Sequence, residues 1–441
     1  MSQISVTPTS PIQQPGTPHE GAARVMFAAT IGNVMEWYDF AVYGYLATTL
    51  GPLFFPNESQ TAQTLSAFAV FAVGYLMRPV GAMVLGPIGD RFGRRAMLVI
   101  SVTLMGLSSL VMGLLPTFAQ IGVAAPVLMV LCRMGQGMSV GGEYTGSMTY
   151  SAEIAPIRWR GTLSSLATVG CLTGFLLGSA TDWILKEQLS EAAVSAWGWR
   201  VPFLLGLPIC AIAVWLRSSL PETQDQVARE DLRVGKVFKD ITRNYRKTFE
   251  IISIVTGVNI AFYLVFVWAP DLLEKGVAKG EPWVQGFNTM SMAYQIPFLV
   301  MGGYFSDRLG RRSVSIACVL MLLIVSVPAM HLCQSGIKSE FAIGQALVGI
   351  PVSILFGLQG AMIVELTPAA IRCSLFSVAY SLAIALFAGT SPLIATWLTQ
   401  SLKWHWGPVT YLMVGLLVSL WTLFTMPETN QRSFMQVNSA R

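Results

Sequence analysis

Five ionisable side chains interrupt otherwise apolar runs: Glu36 and Asp39 in "GNVMEWYDFAVYGYLA" (32–47), then Arg78, Arg133 and Glu143. A charge at mid-bilayer costs about 2.5–3.5 kcal/mol on insertion scales, so such residues mark function. Glu36 and Asp39 are spaced i,i+3 and share a helix face. With Asn33 and Tyr43 they make one polar stripe. Arg133, Gln136, Val140, Glu143 and Tyr144 make a second, along which Arg133 and Glu143 stand about 15 Å apart at about 1.5 Å per residue. The two stripes are expected to line one cavity. Burial raises a carboxyl group's proton affinity and a neighbouring arginine lowers it. A carboxylate that meets an arginine in one state only can therefore take up and release a proton as the state changes.

These charges need a scaffold that holds them inside a membrane. Of 441 residues, 53% are hydrophobic and 12% charged, with mean hydropathy +0.58. Soluble domains are nearer a quarter charged. We read twelve apolar stretches of spanning length, near 24–47, 62–86, 96–115, 121–150, 161–183, 199–217, 249–272, 284–304, 313–333, 340–364, 373–400 and 407–426. The net charge of +5 lies in short clusters between these stretches, which argues for topology signals and against nucleic acid. Arginines follow the second, fourth and eighth stretches, and basic residues crowd the segment after the sixth, so the positive-inside rule puts both termini and the central loop in the cytoplasm. Residues 1–23 read as a disordered tail, 24–217 as one six-helix bundle, 249–427 as a second, and 428–441 as a cytoplasmic tail. In the linker 218–248, Val234, Phe238, Ile241, Tyr245 and Phe249 recur at helical spacing among basic residues, the pattern of an amphipathic helix on anionic headgroups or of a solvated linker helix.

The halves echo each other. "GPIGDRFGRR" (86–95) matches "GYFSDRLGRR" (303–312), "EIAPIRWRG" (153–161) matches "ELTPAAIRC" (365–373), and "PET" occurs at 221–223 and 427–429. Three landmarks in one order at similar separations indicate two parallel repeats, an organisation used by transporters. The six cysteines, with no C-x-x-C pair, read as buried small hydrophobes, and no metal site is expected. His19, His331 and His405 lie outside the middle of any apolar stretch, which leaves intramembrane proton chemistry to carboxylates.

The paired G-x-x-x-D-R-x-G-R-R loops resemble the signature of the major facilitator superfamily. "GNVMEWYDFAVYG" (32–44), "RPVGAMVLGPIGDRFGRR" (78–95) and "RMGQGMSVGGEYTG" (133–146) narrow the resemblance to its metabolite:proton symporters, among them carriers of proline and betaine, α-ketoglutarate, citrate and shikimate. The resemblance implies an all-α membrane protein of twelve helices in two six-helix bundles, alternating access and proton-driven uptake across the bacterial inner (plasma) membrane. Asp39 occupies a place like that of the proton-linked aspartate opposite a fourth-span arginine in the related sugar–proton symporters. Asp39 with Arg133 is therefore favoured for coupling, and Glu36 is a second proton site or a substrate contact. The resemblance also implies a cytoplasmic gate built from the two loops, Gly86, Asp90, Arg91, Gly93, Arg94 and Arg95, then Gly303, Asp307, Arg308, Gly310, Arg311 and Arg312, with Glu153, Arg160, Glu365 and Arg372 as partners. Plain anchoring by basic residues is the alternative, although Asp90 and Asp307 are acids that an anchor does not need. "GGEYTG" is closest to the proline/betaine branch and "YSLAIALFAGTSPLIATWL" (380–398) to the citrate branch. The C-terminal coiled coil of some osmosensing carriers is absent, so osmotic regulation by such a tail is not expected.

For the substrate, Asn33, Tyr43, Arg78, Arg133, Gln136, Glu143 and Tyr144 are candidate contacts in the first half, and Tyr263, Trp268, Tyr294, Gln359 and Tyr380 in the second. Aromatic walls suit a methylated ammonium through cation–π attraction. Two arginines suit a monocarboxylate, zwitterion or small dicarboxylate better than a tricarboxylate. The expectation is symport of a small organic acid or zwitterionic osmolyte by a monomer, driven by protons alone without a cofactor. The rivals are a facilitator or antiporter on the same fold and, more remotely, a non-transporting sensor. No nucleophile–base set or nucleotide loop points to an enzyme.

Overall fold

In lipid a backbone must satisfy its own hydrogen bonds, which apolar runs of this length do as helices. The computed structural model describes the backbone of residues 20–57, 59–92, 94–141, 143–218, 242–276, 281, 283–368 and 371–430, and side chains there except at 20–29, 86–98, 154, 209, 213, 216–218 and 373. All regular structure among the described residues is helical. The first half runs α1 (Glu20–Tyr45), α2 (Ala47–Phe54), α3 (Gln60–Phe92), α4 (Arg94–Leu114), α5 (Phe118–Ile121), α6 (Ala124–Ser139), α7 (Glu143–Ile154), α8 (Arg160–Gln188), α9 (Glu191–Ala193) and α10 (Arg200–Ser218). The second runs α11 (Tyr245–Tyr263), α12 (Ala269–Lys275), α13 (Trp283–Leu309), α14 (Arg311–Gln334), α15 (Lys338–Leu366), α16 (Arg372–Ala383), α17 (Ser391–Thr396) and α18 (Gly407–Thr425).

Among the described residues, seven helical segments are long and apolar enough to cross a membrane by length and composition. The segment Tyr245–Lys275 is the most enclosed of them, with 94% of its apolar window buried in protein. Its residues Leu264–Trp268, a wide π-helical turn joining α11 to α12, are all buried. A second π-helical turn, Ile384–Ala388, follows α16. The halves meet along two seams, α8 against α13 and α3 against α16 with its π turn.

Close helix contact follows the glycines. A Cβ on Gly170 or Gly174 of α8 would strike the carbonyl oxygens of Thr30 and Val34 on α1, and one on Gly137 of α6 would strike the carbonyl of Gly74 on α3. Gly146 is different, with no heavy atom within 4 Å of where its Cβ would lie. The fourth span is also not the single helix expected over 121–150. It ends at Ser139 and restarts at Glu143, with Gly141 at the break. Two helix-weakening glycines in succession allow the break, and a glutamate suits the positive end of the new helix. The stripe from Arg133 to Glu143 is therefore not continuous. Of the expected linker helix, Val234, Phe238 and Ile241 lie outside the described residues, whereas Tyr245 and Phe249 stand exposed at the start of α11.

Candidate functional site

The acids of α1 diverge. Glu36, 3% exposed, is ion-paired with Arg78 of α3, whose guanidinium carbon lies 4.7 Å from the Trp37 ring and 5.2 Å from Phe40. Asp39, fully buried, accepts a hydrogen bond from Ser109 Oγ of α4 at 2.7 Å. Arg133 is also fully buried and makes no ion pair among the described residues. It donates to Gln136 Oε1 at 2.8 Å and to the Phe71 carbonyl at 3.3 Å, and its guanidinium carbon lies 4.6 Å from Tyr43 and 4.7 Å from Phe40. Gln136 Nε2 in turn donates to Ser109 Oγ at 2.7 Å. Arg133, Gln136, Ser109 and Asp39 thus form one chain in which every bond points the same way, from the guanidinium to the Asp39 carboxyl group. In a low-dielectric interior such chains polarise and strengthen one another. The direct Asp39–Arg133 contact is not made in this state, because two neutral side chains separate them.

Next to these charges lies a central cavity lined by Trp37, Tyr144, Cys171, Phe175, Phe262, Tyr263, Phe356 and Tyr380, with Thr168 and Asn259 as its polar groups. At ≈ 20 Å³ it has room for about one water. Tyr263 of its wall is hydrogen-bonded across the halves to Tyr75, Oη to Oη at 2.5 Å.

Of the candidate contacts, Tyr144, Tyr263 and Tyr380 line this cavity. Asn33 instead ties α1 to α7 and α8 through Ser147 Oγ and the Ala167 carbonyl, both at 3.0 Å. Tyr43 is buried under Arg133, stacked 6.3 Å from Phe71. Glu143 opens α7 half-buried. Trp268 donates to Thr396 Oγ1 at 3.2 Å away from the cavity, Tyr294 is half-buried on α13, and Gln359 lines a separate small space within the second half. Sequence reasoning passed over Ser109, Trp37, Phe175, Phe262 and Phe356. Trp37 stands between the two acids, which is a usable signal. Ser109 has none, being one hydroxyl in an apolar helix.

The end carrying the arginine loops is bridged across the halves. Glu365, 1% exposed, receives Arg160 Nη1 at 3.2 Å from the first half and Arg311 Nε at 3.3 Å from its own. Reciprocally, Glu153 of the first half pairs with Arg372 of the second at 2.6 Å. Asp307 sits 2.7 Å from Arg311 Nη1 and caps α8, accepting from the backbone N–H groups of Gly161 and Thr162, each at 2.8 Å. A carboxylate there meets unpaired donors and the positive end of the helix dipole. Gly161 and Gly303 face each other so closely that a Cβ on either would strike the other's carbonyl. Gly310 adopts φ +102° as the chain turns into α14, and the Glu428 carboxylate fills the space beside it, accepting from the N–H groups of Arg311 at 2.8 Å and Arg312 at 3.1 Å. Thr429 Oγ1 donates to Glu365 at 2.7 Å, so the second "PET" is part of the cluster, a role its sequence did not suggest. Arg312 donates to the Phe424 carbonyl at 2.9 Å, and Arg308 lies over Tyr304 at 4.4 Å. In the first loop Gly93 lies outside the described residues, as do the side chains of Asp90, Arg91, Arg94 and Arg95 and the surroundings of Gly86.

Two helical bundles meeting on two seams, with buried charge inside one and a bridged loop end, form a recognisable architecture. The proton:xylose symporter XylE, bound to 6-bromo-6-deoxy-D-glucose, superposes with TM-score 0.75 at 17% identity, covering 95% of this chain and 98% of that one. Residues 25–231 match the model of the "Sugar (and other) transporter" family and 283–435 that of the "Major Facilitator Superfamily". The proline/betaine transporter of Salmonella typhimurium is 34% identical over 93% of this chain and 84% of its own length. The chain belongs to the major facilitator superfamily. The ectoine/proline transporter ProP of Corynebacterium glutamicum is likewise 34% identical, over 92% of this chain and 84% of its own. The protein is thus a multi-pass membrane transporter of the major facilitator fold and not an enzyme.

Proposed function

We propose that this transporter imports a small zwitterionic osmolyte of the proline or betaine kind together with a proton, by alternating access across the bacterial inner membrane, with its arginine loops and termini in the cytoplasm. One observation carries the substrate class: the aromatic cavity adjoins a Glu36–Arg78 pair that is already neutral. A zwitterion can exchange with such a pair charge for charge, carboxylate to Arg78 and ammonium to Glu36 and the ring faces. A citrate trianion would leave charge uncompensated, which a buried site does not tolerate. The names of the relatives support the same class.

Coupling rests on Asp39. With Arg133 held on Gln136, Asp39 is the buried acid best placed to hold the proton. When the proton leaves, the carboxylate draws the arginine along the hydrogen-bonded chain and loosens the rings packed on it. The Glu365 and Asp307 cluster is the cytoplasmic gate, closed here. Its pairs must break in the inward-open state, so they can differ between states by only a few kcal/mol.

The test is uptake by purified protein in proteoliposomes. Labelled glycine betaine or proline accumulates when the lumen is made alkaline relative to the outside. Uptake that ignores the pH gradient would leave a facilitator, and uptake of citrate in place of betaine would overturn the substrate class.

A further inference from the structure

Opposite the arginine loops, a cavity of ≈ 380 Å³ opens between the halves, within the range of about 300–1,000 Å³ usual for small-molecule sites. Thr48, Thr49, Gln60, Gln63 and Thr64 give it a neutral polar wall, and Lys186, Lys275, Glu191, Glu274 and Glu281 give it charge. Lys186 Nζ lies 2.8 Å from Asp182 Oδ2 on its own helix and 2.8 Å from Glu274 Oε2 on α12 of the other half. Lys275 Nζ lies 2.7 Å from Asp271 Oδ2. Asp182 and Asp271 are buried, with side chains 2% and 7% exposed, and each keeps one oxygen without a partner, as does Glu274.

Charge and geometry point to one class of ligand. Among the described residues, five carboxylates face two ammonium groups in and behind this wall, and three carboxylate oxygens lack a donor. Carboxylates thus outnumber cations there among the described residues. Lys186, which bridges the halves, is shared between two carboxylates, so an incoming cation can replace it at Glu274 and free it for an anion. We propose that this cavity is an outer binding site for a small zwitterion, with the ligand's ammonium, secondary or quaternary, at Glu274 and its carboxylate at Lys186. Seating the ligand exchanges the Lys186–Glu274 bridge for two bonds to the ligand. The charged tie between α8 and α12 is thereby released and the path to the aromatic cavity opens. The acidic excess repels polyanions, so the cavity filters substrates before the central site meets them. The inference rests on the zwitterion reading above and deepens it.

The experiment uses the full chain in oriented proteoliposomes with labelled glycine betaine, measuring KM from each face separately. Glu274→Gln raises KM from the outer face about tenfold, the size expected for losing one close charge contact, and leaves KM for counterflow from the opposite face unmoved. An equal change at both faces, or none, overturns the outer site. Because Glu274 also holds the halves together, the double variant Glu191→Gln/Glu281→Gln, both exposed residues, gives an independent reading. Its outer KM rises about threefold at low salt and the difference fades at high salt, as screening requires; no rise at low salt contradicts the proposal. Failure of the wild type to take up either glycine betaine or proline is a distinct result, and removes the zwitterion reading itself.

Discussion

The two halves share a fold and three sequence landmarks, yet their central faces differ. The first half carries Glu36, Asp39, Arg78 and Arg133 in its buried middle. At the same depth the described residues of the second half offer rings and amides, with Phe262, Tyr263, Phe356 and Tyr380 on the cavity, Gln345 bonded to Asn288, and Gln295 to the Ser291 carbonyl and Ser353. Its buried charges sit at the ends, with Asp307, Arg311, Glu365 and Arg372 among the arginine loops and Asp271 opposite. In the mechanism proposed above, charge movement belongs to the first half and apolar recognition and end-locking to the second.

Charge removal should therefore hurt more in the first half. Glu36→Gln leaves Arg78 buried without its carboxylate, which for a buried pair costs about 3–5 kcal/mol. The double variant Glu36→Gln/Arg78→Gln should recover most of that loss, as read by thermal melting in detergent. A double variant no more stable than the single would show that the pair is not the local source of stability. A smaller effect is expected at the loop end. Glu365→Gln removes the shared acceptor of Arg160, Arg311 and Thr429 and biases the carrier toward the cytoplasm-open state. Cys171, on the cavity wall, should then react several-fold faster with a maleimide supplied from the loop side, about 1 kcal/mol in the population of open states. Unchanged labelling would return the cluster to simple anchoring. The smallest effect belongs to the uncharged middle of the second half. Tyr263→Phe deletes one hydrogen bond to Tyr75, about 0.5–1.5 kcal/mol, and should alter transport rate without uncoupling it.

Much of this was legible in the residues. Apolar run length marked the helices and the repeated loops the two-bundle plan, whereas the cross-half pairing of Glu365 with Arg160 and of Glu153 with Arg372 was not read from the residues. The residues that the sequence could not pair are those whose partners depend on helix rotation. Glu36 and Asp39 share a face by spacing, but α1 is wrapped by neighbours, so one acid meets α3 and the other α4. The break at Gly141 was visible as consecutive glycines but read as part of a span, because hydropathy does not register a missing turn. Glu428 as a helix cap was hidden for a simpler reason: its partners, the backbone N–H groups of Arg311 and Arg312, have no sequence signature.

The division of labour between the halves turns on Asp39. Asp39→Asn keeps the shape and the acceptor for Ser109 but cannot release a proton. In proteoliposomes with an imposed pH gradient, this variant should fail to accumulate glycine betaine yet exchange it down its own gradient near the wild-type rate. Accumulation at the wild-type level by Asp39→Asn would contradict that division of labour.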